Sequence, residues 1–174
     1  KAAVQKVVLT DDLIYVDFEK QFGATEFVGY EQNKCEAKIL ATIESEDYID
    51  IILDKTPFYA ESGGQVGDIG RLEGKKAGGQ AFHLDVLTTF KVNHLFVHRC
   101  ALPEGEIKIG DKVNAVIDKC RREEIKIHHT TAHLLQSALI KVLGNEVKQA
   151  GSQVEESRTR FDFSFSRAMT QDEI

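Results

Sequence analysis

The chain has 174 residues, 42% of them hydrophobic and 29% charged, enough for one substantial core or two small ones. No apolar run approaches the roughly 18 residues of a membrane helix, and no signal-peptide pattern opens the chain. The net charge of −6 leaves only a local basic patch to serve a nucleic acid, and three scattered cysteines (Cys35, Cys100, Cys120) fit reduced cytosolic thiols better than a disulfide framework.

The chain opens at Lys1 rather than Met, as expected of a piece of a longer protein. Residues 1–23 read as a connector, with short strands expected at Val7–Leu9 and Leu13–Phe18. From Gly23 the character changes to brief β-prone runs separated by polar breaks: Phe27–Tyr30, Ala37–Ile43, Tyr48–Leu53, Ala81–Leu87, Lys91–Cys100 and Lys112–Ile117. Such runs, with glycine common and proline scarce, predict a small antiparallel barrel or sandwich over 24–117. The period then switches. Asp118 is a candidate N-cap, apolar residues recur at helical spacing to Val142, and Gly144-Asn145 is a usual C-terminal pair. The spacing leaves open one long helix or two with a kink near His128. Strands follow at Val147–Gly151 and Arg158–Phe165, the second placing three phenylalanines on one face. Thr170–Glu173 has the form of a capping box. The fold class expected is α+β, with the barrel followed by a helix-bearing unit over 118–174.

Two stretches carry chemistry. His129 and His133 stand four apart in I-H-H-T-T-A-H-L-L, so a helix puts both imidazoles on one face. Such a pair is either two ordinary helix histidines or half of a zinc site, since zinc usually takes four ligands. Thr130 occupies the place where a zinc metalloprotease carries its glutamate base, which argues against a protease. The sequence downstream of His133 holds no further Cys or His, leaving His83, His94, His98 and the cysteines as upstream candidates. His94 and His98 repeat the spacing, but on a strand they would lie about 13 Å apart, too far to share a metal; they read as half-exposed strand histidines.

The second stretch is T-P-F-Y-A-E-S-G-G-Q-V-G-D-I-G, residues 56–70. Gly63-Gly64 permits positive φ and close backbone approach, which suits either a barrel hairpin or a loop pressed against a substrate. Gly63-Gly64-Gln65 and Gly78-Gly79-Gln80 each spell the tripeptide with which release factors hydrolyse peptidyl-tRNA esters. Arg121 and Arg122, with Lys119 and Lys126, form the densest basic cluster. They are either solvated helix charge or a phosphate contact beside a metal.

Taken together, T-P-F-Y-A-E-S-G-G-Q-V-G-D-I-G, R-R-E-E-I-K-I-H-H-T-T-A-H-L-L, V-K-Q-A-G-S and R-F-D-F-S-F occur in an order and at spacings that closely resemble the editing region of alanyl-tRNA synthetases, over about residues 23–174. The resemblance implies a translation-factor-like barrel followed by the N-terminal part of a zinc-dependent editing domain, which removes serine or glycine wrongly attached to alanine tRNA. It implies that His129 and His133 are zinc ligands and act in catalysis with Gln149, which falls on the family's editing-site glutamine. The other two ligands, a Cys and a His, lie in the family beyond residue 174. Glu61, Ser62, Gly63, Gly64 and Gln65 would face the same pocket, and Arg121 and Arg122 match the family's paired arginines and would contact substrate. Gln153 departs from the family, where an apolar residue is commoner. The partner implied is the acceptor end of tRNA(Ala), with no membrane and a cytoplasmic location. ATP and magnesium would belong to an aminoacylation domain outside these residues. With two zinc ligands elsewhere, the 174 residues alone are expected to bind zinc weakly and to hydrolyse mischarged tRNA poorly. A free-standing editing deacylase, a non-catalytic acceptor-end binding module and a hydrolase working through Gln65 are the alternatives.

Overall fold

The computed structural model describes residues 13–75, 81–103 and 107–174; the strand expected at Val7–Leu9 and the second Gly-Gly-Gln tripeptide lie outside them. The chain divides into two compact units. The first runs to Glu61 and resumes over Gly67–Asp118; the second joins Ser62–Val66 to Lys119–Ile174.

Six strands make the first unit a closed antiparallel barrel: β2 (Lys34–Glu44), β3 (Tyr48–Leu53), β5 (Gly70–Lys75), β6 (Ala81–Val92), β7 (Leu95–Ala101) and β8 (Lys112–Ile117), in the order β2-β3-β7-β6-β5-β8. A short parallel pair, β1 (Glu26–Phe27) with β4 (Lys55–Thr56), lies outside the closed sheet. Alternation fills the interior. Ile49, Ile51 and Leu53 of β3 point inward with Ile39, Leu72, Leu84, Val86 and Ala115, while Phe58 plugs the same cluster from a loop.

The barrel's outer face near β3 and β7 is covered by α1, residues 13–22. Here the expected strand Leu13–Phe18 is corrected to helix. Tyr15, Phe18 and Phe22 recur at helical spacing and pack on Ala41, Ile52, Leu95 and Val97. Tyr15 Oη donates to Asp50 Oδ2 at 2.9 Å, and Arg99 grips the same buried carboxylate through two nitrogens at 2.8 and 2.9 Å. Burial is offset by this bidentate pairing. Phe27–Tyr30, expected as one strand, is β1 followed by a turn.

His94 and His98 are not alike. His94 lies exposed in the β6–β7 turn, its Nδ1 2.6 Å from Glu19 Oε1. His98 is fully buried: its Nδ1–H donates to Ile51 O at 3.0 Å, and its Nε2 accepts from Thr56 Oγ1 at 2.7 Å. Thr56 Oγ1 in turn accepts the Phe58 amide at 3.1 Å. Burial holds the imidazole pKa down at about 4, so His98 is a neutral structural group.

The second unit contains α2 (Lys119–Leu143), a single unbroken 25-residue helix, and a ribbon of β9 (Lys148–Val154) and β10 (Thr159–Ser164). Gly144, with φ of 95°, ends α2 by donating its N–H to Ile140 O at 2.9 Å. The core of this unit is small: Ile125, Ala132 and Val154, with Val66 against them. Elsewhere on α2 large apolar residues are exposed: Ile127 and Leu134 opposite Ile125 and Ala132, Leu135 and Val142 on a flank. The capping box opens only a 3-10 turn, Gln171–Glu173, where Thr170 N–H donates to Glu173 Oε2 at 2.8 Å.

Candidate functional site

The site is built on three pieces of the second unit. The first is α2, whose 3.6-residue period sets His129 and His133 side by side with ring centroids 4.8 Å apart. Between them Thr130 and Thr131 turn their hydroxyls back onto Lys126 O and Ile127 O, and the helix runs on unbroken.

The second piece is the turn Ser62-Gly63-Gly64-Gln65. Ser62 and Gln65 exchange both backbone hydrogen bonds, at 3.0 and 3.1 Å, around two glycines with φ of 59° and 85°. Positive φ at both central residues marks a type I′ turn, open to glycine at little cost. The turn adds to the edge of β9: Val154 N–H donates to Gly64 O at 2.8 Å and Val66 N–H to Val154 O at 3.1 Å. Approach is so close that a Cβ on Gly64 would stand 2.2 Å from Ser152 O. Ser152, a residue the sequence reading did not single out, also donates its hydroxyl to Gly63 O at 3.2 Å.

This pairing delivers Gln65 to the histidines. Its side chain is only 7% exposed and its Oε1 accepts from His129 Nδ1 at 2.6 Å. The glycine turn and the imidazole pair therefore meet, as the sequence reading requires. Glu61, in the first unit, is exposed and donates its backbone N–H to Thr89 O.

The third piece is the ribbon. Cross-strand partners project from the same face, and Val154, paired with Thr159, is buried against Ile125 and Ala132, so theirs is the helix side. Ser152 pairs with Phe161 on that face. A register shift then skips Ala150, and Gln149 pairs with Phe163. Without the bulge Gln149 would share the opposite face with Gly151 and Gln153; with it, Gln149 joins the helix side. Thr159 Oγ1 ties this face to α2 through His128 O at 2.9 Å. Among the described residues no hydrogen bond or ring contact joins Gln149 to either imidazole; its exposed amide stays available.

Arg121 and Arg122 are not solvated charge. Arg121 pairs with Glu156 at 3.1 Å with its side chain only 15% exposed, and Arg122 is buried. Both are engaged at the root of α2. His128, between the singled-out residues, has a buried Nδ1 with no partner among the described residues.

The donor set fits half a metal site. His129 has one ring nitrogen committed to a carbonyl-type oxygen, the usual support of a ligating imidazole, and among the described residues no hydrogen bond engages its Nε2. No third donor joins the pair: among the described residues no group of three His, Cys, Asp or Glu could hold a metal. Of the upstream candidates, Cys35 and Cys100 are buried in the barrel and His98 has both ring nitrogens engaged.

The sequence that builds the barrel and the glycine turn has relatives. A family profile described as tRNA synthetases class II (A) matches residues 2–121, and the chain belongs to that family. Its relatives narrow the likeness further. The alanine–tRNA ligase of Wolbachia pipientis wMel is 45% identical over 172 residues, covering 92% of this chain and 19% of that protein. That of Rickettsia prowazekii (strain Madrid E) is 39% identical over 174 residues, covering 94% and 19%. These alignments are too long to leave out α2, which lies largely beyond the profile match. The chain spans about a fifth of the length of these relatives.

Proposed function

We propose that these residues are the proofreading segment of an alanine–tRNA ligase, hydrolysing serine or glycine esters of tRNA(Ala), in a cytoplasmic enzyme that elsewhere uses ATP to attach alanine. The observation that supports it most is the 2.6 Å contact between Gln65 and His129, which joins the glycine turn to the imidazole pair. The need is physical. A pocket sized for alanine cannot exclude glycine, and one extra hydroxyl or one missing methylene yields only about 10–200-fold discrimination.

In this reading water attacks the ester carbonyl, the bond to the ribose oxygen breaks, and that oxygen takes the proton, releasing amino acid and tRNA. His129 and His133 supply two nitrogens toward zinc, which when bound supplies Lewis acidity to an ester or a water. Gln149, turned to the helix side by the bulge, offers an amide to the serine hydroxyl or the terminal adenosine. Gly63 leaves open space beside the turn, since a Cβ there would meet nothing within 4 Å. The engagement of Gln65 disfavours a release-factor-like reaction through that residue. In the intact ligase, His133→Ala is expected to abolish hydrolysis of serine-charged tRNA(Ala) while alanine charging continues; undiminished hydrolysis would refute the proposal.

A further inference from the structure

We infer that Gln65 is a positioning residue: its carboxamide oxygen holds His129 in the Nδ1–H tautomer and so reserves Nε2 for a divalent metal. This rests on the metal role proposed for His129 and changes the part expected of Gln65, from touching substrate to acting through an imidazole.

The argument starts at the backbone. The amide and carbonyl of Gln65 are both spent within the type I′ turn, and its neighbours Gly64 and Val66 are bonded to Val154. The main chain of Gln65 is thus fixed on both sides, by the turn and by β9. Its side chain is buried, and a buried amide without a partner costs roughly 1–3 kcal/mol, so the contact with His129 is strongly favoured. A carbonyl oxygen only accepts; the proton in this bond must sit on Nδ1. In water an unconstrained neutral histidine favours the Nε2–H form, which would block the nitrogen left open here. Ligating imidazoles are commonly held in this way by an oxygen on the other ring nitrogen. A group serving only to satisfy a buried amide would not need a histidine, since any hydroxyl could do so.

The test uses the whole 174-residue chain labelled with 15N-histidine, at a pH well above the ordinary imidazole pKa of about 6.5. Two-bond nitrogen–proton correlation spectra should show His129 as the Nδ1–H tautomer. In Gln65→Ala it should move to the Nε2–H form, and in Gln65→Glu, which keeps an oxygen acceptor, it should stay. Cobalt(II) titration of the metal-depleted intact ligase, which carries the two further ligands expected beyond residue 174, then reads the consequence: Gln65→Ala should weaken binding about 10–100-fold, with Gln65→Glu binding at least as tightly as the parent. Thermal melts check that the variants are folded; Gln65→Glu gives the reading if Gln65→Ala is not. An Nε2–H His129 in the parent, or an unchanged tautomer in folded Gln65→Ala, overturns the inference. If the parent shows the Nδ1–H form but the intact ligase takes up no cobalt, the tautomer assignment stands and the metal role proposed for the pair is what fails.

Discussion

At the scale of single residues, burial separates a histidine that holds the fold from the pair proposed to do chemistry. His98 is walled in, with both ring nitrogens satisfied and its pKa held at about 4. The unfolded chain takes up a proton at His98 below about pH 6.5 while the fold refuses it until about pH 4. The stability due to its neutral form is therefore complete above the unfolded pKa and drains away as pH falls through that window, on the order of 3 kcal/mol in all. Urea unfolding across this range should show a steeper loss for the parent than for His98→Gln, which has nothing to titrate; equal slopes would contradict the assignment. His98 and His94 look identical in the sequence, because alternation cannot tell a strand position from the turn beside it. The pair His129 and His133 was legible, since a helix of known period fixes where both imidazoles point. The role of Gln65 was not: a contact across 64 residues of sequence depends on how the turn lands on β9.

At the scale of elements, the glycine turn is the most sensitive joint. Gly64→Ala meets two obstacles at once, a positive φ that costs an L-residue roughly 1–2 kcal/mol and a backbone oxygen standing where the new methyl must go. The turn is expected to lift off β9, exposing the Val154 amide to faster hydrogen exchange, whereas Gly63→Ala, with empty space around it, meets only the first obstacle. Other elements show why some of the fold escaped sequence reading. The segment 13–22 carries Ile14, Tyr15 and Val16, residues at home in strands; its helix exists because Tyr15, Phe18 and Phe22 find one apolar face of the barrel. β5 (Gly70–Lys75) offered only Leu72 as an apolar signal and is held by partners on both sides. β3, mostly apolar, and β8, with its regular alternation, were plain.

At the scale of the whole molecule, the two units are built to different depths. The barrel interior is a broad apolar cluster, whereas the second unit's core cluster holds three buried apolar residues with Val66 against them, and Leu134 on α2 is 66% exposed. Apolar burial is the main favourable term in folding, so the helical unit should open first. Hydrogen exchange followed by mass spectrometry is expected to show α2 and the β9–β10 ribbon exchanging well before β3 and β7; simultaneous exchange would mean that the units fold as one. Ring closure then decides what survives. Each of the six barrel strands has a neighbour on either flank, so the closed sheet itself offers no ragged margin to a second molecule. β10, matched on one side only among the described residues, is where chains crowded together would begin to stick.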